Sequence, residues 1–218
     1  MSPLKIIDTG LKNYNTVLEL QQRLFSENIA AKLENKPTQN YLVLCEHQPV
    51  FTLGNSGKRE NILVGDDELN AEYYKVNRGG DVTFHGPGQL VVYPILDLDT
   101  LNIGLAKYIS NLEDTIIETL THYHLKGERL DGAAGIWIRD TTGDRKICAI
   151  GVKASRNITM HGLAMNLNTD LSFFDKIIPC GLEGKGVTSL QKELGKEVSV
   201  EEYKSIFIEE FRKVFALK

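Results

Sequence analysis

Long apolar runs are missing from this sequence. None approaches the roughly 18 consecutive apolar residues of a membrane-crossing helix, so no membrane span is expected. The amino-terminal MSPLKIIDTG has no apolar h-region, so no secretory signal is expected either. Asn157-Ile158-Thr159 fits a glycosylation acceptor and, without secretion, is read as chance. Basic excess is missing too: the formal net charge is −4. No global field draws the chain to nucleic acid or to anionic lipid. Cysteine is scarce and odd in number, with three residues, Cys45, Cys148 and Cys180. Such usage argues for free thiols in a reducing cytoplasm. Neither Cys-x-x-Cys nor His-x-x-x-His occurs, so no metal is expected. A dinucleotide fingerprint after a strand, a phosphate-binding P-loop and a Gly-x-Ser-x-Gly elbow are also missing.

What is there reads as an ordinary soluble domain, 42% hydrophobic and 25% charged, and residues 1–218 are taken as one domain. Ser199 and Glu202 form a capping box before Val200, Tyr203, Phe207, Phe211 and Val214, which share one helical face. Helices are also predicted over 14–32 and 104–123. Strands are predicted over 41–45, 73–76, 90–96, 135–139, 146–152 and 163–167, with Thr141-Thr142-Gly143-Asp144 at hairpin spacing. Strands and helices do not alternate regularly. The expected class is therefore α/β of the α+β type, a mixed, largely antiparallel sheet with packed helices.

The densest segment is Arg78-Gly79-Gly80-Asp81-Val82-Thr83-Phe84-His85-Gly86-Pro87-Gly88-Gln89, read as a loop between two strands. Gly86-Pro87-Gly88 alone would be a plain turn. Gly79-Gly80, Arg78 and His85 tip the reading toward a wall where a ligand meets backbone closely. Among the thiols, Cys45 and Cys148 read as small buried strand residues. Cys180 alone sits in a turn, between Pro179 and Gly181, and is the candidate nucleophile. Its activating partner would come from Lys146, Lys153, Arg78, Arg156, His85 or His161. Lys146 and Lys153 differ in strand parity, so they should face opposite sides of the sheet unless a bulge intervenes. His85 and His161 each precede glycine and serve equally well as structural imidazoles. His47 could line the same pocket; His122 and His124 are assigned to the surface.

Segments 78–89, 146–152 and 161–166 leading to Pro179-Cys180-Gly181, with Glu46-His47-Gln48-Pro49-Val50 and Val187-Thr188-Ser189-Leu190, together resemble the lipoyl(octanoyl) transferase family. The resemblance covers roughly 41–190, and its blocks are specific as an ordered set. It implies the biotin and lipoate protein ligase catalytic fold. It also implies octanoyl transfer, in lipoate biosynthesis, from octanoyl-acyl carrier protein to a lysine of a lipoyl-domain protein. Glycine cleavage H protein and 2-oxoacid dehydrogenase E2 are acceptors of that kind. By the same resemblance Cys180 is the acyl-accepting nucleophile, Lys146 the catalytic lysine and Lys153 a second basic position. Arg78, Gly79, Gly80, Asp81, Val82, Thr83, Phe84, His85, Ala149, Ile150, Gly151, His161, Gly162, Leu163 and Ala164 match segments that line the acyl pocket. No cofactor is implied. Asp81 stands where glutamine is common, and Asn157 where an aromatic residue is frequent, a change that would alter the pocket rim.

The acidic net charge demands a local basic patch for an acidic carrier, and Lys58, Arg59, Arg145, Lys146, Lys153, Arg156 and Lys185 are its candidates. Three other readings compete: an ATP-dependent lipoate or biotin ligase, a cysteine hydrolase using His161 or His85, and a non-catalytic carrier-binding module.

Overall fold

Both faces of the main sheet are covered, which is why its strands read as near-continuous apolar runs. The computed structural model describes residues 3–178 and 185–218. In chain order its elements are β1 (Lys5–Lys12), α1 (Tyr14–Leu33), β2 (Tyr41–His47), β3 (Val50–Leu53), α2 (Asp66–Leu69), β4 (Glu72–Lys75), β5 (Val82–His85), β6 (Gln89–Ile95), α3 (Leu105–Thr121), β7 (Glu128–Leu130), β8 (Ala133–Asp140), β9 (Gly143–Ser155), β10 (Ile158–Asn166), β11 (Gly186–Val187), α4 (Leu190–Leu194) and α5 (Val200–Phe215). Among the described residues the larger sheet has eight strands in the order β1-β2-β6-β10-β9-β8-β7, with β11 beside β9; the smaller runs β4-β3-β5. Only β1/β2, β11/β9 and β3/β4 are parallel among the described pairs, so the sheets are mixed and largely antiparallel, as expected.

Strand alternation sorts the core. On β2, Leu42 and Leu44 pack with α3 (Tyr108, Leu112, Ile116) and α5 (Tyr203, Phe207, Phe211). Val43 and Cys45 point the other way, against Val17, Leu24 and Phe25 of α1. The predicted cap of α5 is present: Ser199 Oγ accepts from the Glu202 backbone N–H at 3.2 Å. Helix α1 extends one residue beyond its predicted end, and α3 is slightly shorter than expected.

The segment 78–89 departs from its reading as a loop. It contains strand β5, which pairs with β3 from Val82↔Leu53 to His85↔Val50. Glycine density masked the strand, although Val82-Thr83-Phe84-His85 alternates apolar with polar. Beta strands β9 and β10 are longer than expected and join through Arg156-Asn157, both left-handed at φ +50° and +61°. That is the two-residue hairpin turn that suits a twisted pair. Asn157 is there because asparagine tolerates this conformation. It is exposed and donates to Asp99 at 2.8 Å.

Candidate functional site

A bulge decides what the main cleft can do. Opposite β8, Ile136 pairs with Cys148 but Trp137 pairs with Lys146, so one residue of β9, Ile147, is extra. Ile147 and Cys148 both turn into the core under α3 and α5. Lys146 is thereby moved to the face that carries Ala149, and the two line one pocket. Lys153, which packs its Nζ 5.5 Å from the Phe25 ring of α1, is on that face as well. Strand parity alone would set the two lysines on opposite sides; the bulge brings them to the same side.

Lys146 is 7% exposed rather than a solvated strand-edge charge. Its Nζ donates to Ala134 O at 3.2 Å and sits 4.7 Å from the Trp137 ring centroid. Thr83, Gln89, Ala164, Asn166, Phe174 and Val187 complete its surroundings. Cys180, with Pro179 and Gly181, lies outside the described residues. The described chain on both sides borders the Lys146 pocket: Phe174 before, Val187 after. Val187 pairs with Lys146, and Thr188 N–H donates to Lys146 O at 2.9 Å.

Next to this pocket lies a mostly apolar cleft lined by Arg78, Gly80, Thr83, His85, Ala149, Ile150, Gly151, His161, Gly162, Leu163 and Ala164, with Tyr14, Val91 and Tyr93. Eleven of the candidate site residues therefore meet in one place. The remaining pocket candidates do not. Val82 and Phe84 point to the far side of the small sheet, among Phe51, Leu53 and Phe174. Gly79 and Asp81 border an outer groove, together with Lys146. The Asp81 carboxylate accepts from Val82 N at 2.6 Å, from Lys58 N at 3.3 Å and from the Asn61 side chain, so it fastens the 54–61 loop.

Glycine is required where backbones meet. A Cβ on Gly162 would lie 2.1 Å from Val92 O, and one on Gly151 would lie 2.8 Å from Gly79 O. The Gly79 N–H donates to Val152 O at 2.9 Å and docks the 78–80 loop on β9. Arg78, 8% exposed, donates to Thr52 O and Oγ1, both at 2.8 Å.

The imidazoles belong to buried networks. His85 Nδ1 meets Gln89 Oε1 at 2.8 Å; Gln89 Nε2 donates to Asn166 Oδ1 at 2.9 Å, and Asn166 Nδ2 to Thr188 O at 2.9 Å. Because Gln89 offers an oxygen, His85 carries its proton on Nδ1. The chain ties the cleft wall to the strand beside Lys146. His47 lies behind the cleft, 2.8 Å from the Tyr93 hydroxyl and 3.4 Å from Cys45 Sγ. Burial pushes His47 and His161 down to about 4 and His85 to about 3, with Arg78 also opposing charge on His85 and His161. These groups are neutral and weakly basic at neutral pH. Burial raises both Cys45 and Cys148, and Cys148 faces the α3/α5 core rather than the cleft. Of the basic-patch candidates, Arg145 is engaged by Asp140 and Glu193, and Lys185 by Asp144. His122, on the surface as expected, pairs with Glu210 at 3.0 Å. Among the described residues no group of three or more His, Cys, Asp or Glu side chains could hold a metal ion, and no helix is long and apolar enough to cross a membrane.

Tyr14, Gln89, Val91, Tyr93, Asn166, Phe174 and Val187 were missed as lining residues. Val91 and Tyr93 share one face of β6, but which strand face meets the cleft depends on the second sheet.

A family model described as the lipoyl protein ligase A/B catalytic domain matches residues 13–212. An octanoyltransferase of Christiangramia forsetii is 47% identical, covering 97% of this chain and 95% of its own. One from Parabacteroides distasonis is 48% identical over 97% of this chain and 100% of its own. Among solved structures, the bipartite lipoate protein ligase of Thermoplasma acidophilum superposes with a TM-score of 0.74 at 13% identity, covering 100% of this chain and 86% of that one. The biotin protein ligase of Aquifex aeolicus with biotin and ATP gives 0.55 at 12%, covering 99% and 71%. These structural likenesses show a shared fold.

Proposed function

The chain belongs to the lipoyl protein ligase A/B catalytic domain family, and we propose that it carries an octanoyl group on Cys180 between two protein substrates. Its relatives at 47% and 48% identity are octanoyltransferases along nearly their whole length, and this chain is an acyltransferase of that kind, acting in lipoate biosynthesis. It takes an acyl donor and a lipoyl-domain acceptor. The finer reading names octanoyl-acyl carrier protein as donor and a lysine of a lipoyl-domain protein as acceptor.

The observation that carries this reading is the pocket in which Lys146 is buried beside Phe174 and Val187, which lie in the described stretches before and after segment 179–184. A cation there suits a thiolate. The Cys180 thiolate attacks the octanoyl thioester, and a new C–S bond forms as the bond to the carrier's sulfur breaks. Lys146 gives a proton to that leaving thiolate. The acceptor amine then attacks acyl-Cys180; the C–N bond forms, the Cys180 thiolate leaves, and Lys146 takes the amine proton. One thioester replaces another in the first step, and amide formation drives the second downhill. The octanoyl chain fits the adjoining apolar cleft. Burying its methylenes at about 0.8 kcal/mol each supplies several kcal/mol of binding. The neutral, weakly basic His85 and His161 argue against a hydrolase that uses either as base.

The test mixes the purified chain, octanoyl-acyl carrier protein and a lipoyl domain without ATP. The expected result is an octanoyl mass gain on the lipoyl domain. A strict need for ATP and free octanoate would support the ligase, and release of octanoate alone the hydrolase. Binding of the carrier protein without any transfer would support a non-catalytic module.

A further inference from the structure

The apolar cleft does not end in solid core. Beyond it lies a second groove, lined among others by Lys75, Asn77, Lys153, Phe25 and Met160. Among the described residues, His161 alone lines both spaces.

The order along β9 gives the slot a direction. Lys146 stands at one end, Ala149 and Gly151 line the cleft, and Lys153 lines the outer groove. Across the ladder, His161 pairs with Val152 and Met160 with Lys153. A chain whose reacting end lies near Lys146 therefore meets His161 at its far end.

His161 is held there at a cost. Its backbone is left-handed, φ +59°, which a non-glycine residue rarely adopts. Its N–H is fastened to Gln21 Oε1 of α1 at 3.2 Å. The residue is 3% exposed, and although the ring meets the Asn77 backbone, its Nδ1 has no hydrogen-bond partner. A strained residue with an unsatisfied ring nitrogen between two cavities calls for a reason beyond packing.

We propose that the His161 imidazole is the partition that closes the acyl slot and sets the longest chain it accepts. The inference rests on the acyl-slot reading above and names the residue that decides chain length within it. Removing the ring joins the slot to the outer groove, so a longer fatty acyl chain passes through and ends between Lys75 and Lys153.

The experiment compares the parent with His161→Gly and His161→Asn, two residues that tolerate the left-handed backbone. Acyl transfer is measured with octanoyl- and dodecanoyl-pantetheine, and binding of free octanoate and dodecanoate by calorimetry. Each methylene that gains a buried position is worth about four-fold. The expected result is a dodecanoyl-to-octanoyl ratio well below one in the parent, rising at least about ten-fold in the variants. An unchanged ratio in a folded variant overturns the partition, as does a parent that takes both chains equally. Should both variants fail to fold, the parent decides: binding that strengthens from octanoate to dodecanoate contradicts the partition, and weaker binding supports it. If the parent forms no acyl adduct, the Cys180 reading fails, and the calorimetric ratio alone judges His161.

Discussion

Lys146 and Ala149, three positions apart on β9, face the same pocket because Ile147 and Cys148 both turn into the opposite core. The bulge brings a buried ammonium to one end of an apolar cleft. Lys146→Met keeps the bulk and the stacking on Trp137 and removes the charge. It is expected to lower octanoyl transfer by about 10²–10⁴-fold, the range for losing a general acid and base. Steady-state transfer beside a thermal melt checks this. Full activity in a folded variant would remove Lys146 from the chemistry.

Thiol labelling should be selective. Cys45 and Cys148 are buried, and burial raises both thiols. A disulfide reagent at pH 7.5 is expected to titrate one thiol per native chain and all three after denaturation. Loss of the native signal in Cys180→Ala identifies the reactive residue. Rapid labelling of two thiols in the native chain would contradict the burial of Cys45 or Cys148.

Acid should weaken the fold. Burial holds His47, His85 and His161 at about 4, 3 and 4, below their ordinary 6.5. Below pH 6.5 the unfolded chain binds protons that the native chain refuses. The stability these groups confer is complete above pH 6.5 and is lost as pH falls toward 3 to 4. A shift from 6.5 to about 4 corresponds to roughly 3 kcal/mol per group. Urea unfolding at pH 7 and 4.5 should show a drop of several kcal/mol, smaller in His47→Gln. Equal stability at the two pH values would contradict neutral buried imidazoles.

Backbone contact makes Gly162 irreplaceable, whereas Gly65 has nothing within 4 Å of an added Cβ. Gly162→Ala is expected to cost about 1–3 kcal/mol, and Gly65→Ala under about 0.5 kcal/mol. Thermal melts of the two variants decide. Equal melting temperatures would show that β10 can move away from Val92.

Much of the cleft lining was legible because its residues come in ordered blocks. Arg78, Gly80, Thr83 and His85 reach the cleft from the glycine-rich segment, and Ala149–Gly151 and Gly162–Ala164 reach it from two paired strands. Three things were not legible. Strand β5 was hidden because glycine and proline around it signal turns, while its partner β3 lies about thirty residues upstream and only tertiary pairing reveals it. The Lys146 bulge leaves no composition signal, since Ile147 and Cys148 suit either face. The motif points Asp81 at the pocket and Asn157 at its rim, yet one is spent on a loop and the other on a hairpin turn. Local conformational demand fixes both, and a linear motif does not display it.

The central claim is the acyl-enzyme, and the intact mass of the chain after brief exposure to octanoyl-acyl carrier protein tests it most directly. One octanoyl group is expected on the parent, none on Cys180→Ala, with the adduct discharged on adding a lipoyl domain. An adduct that survives Cys180→Ala, or octanoyl transfer by a parent that never carries one, would contradict it.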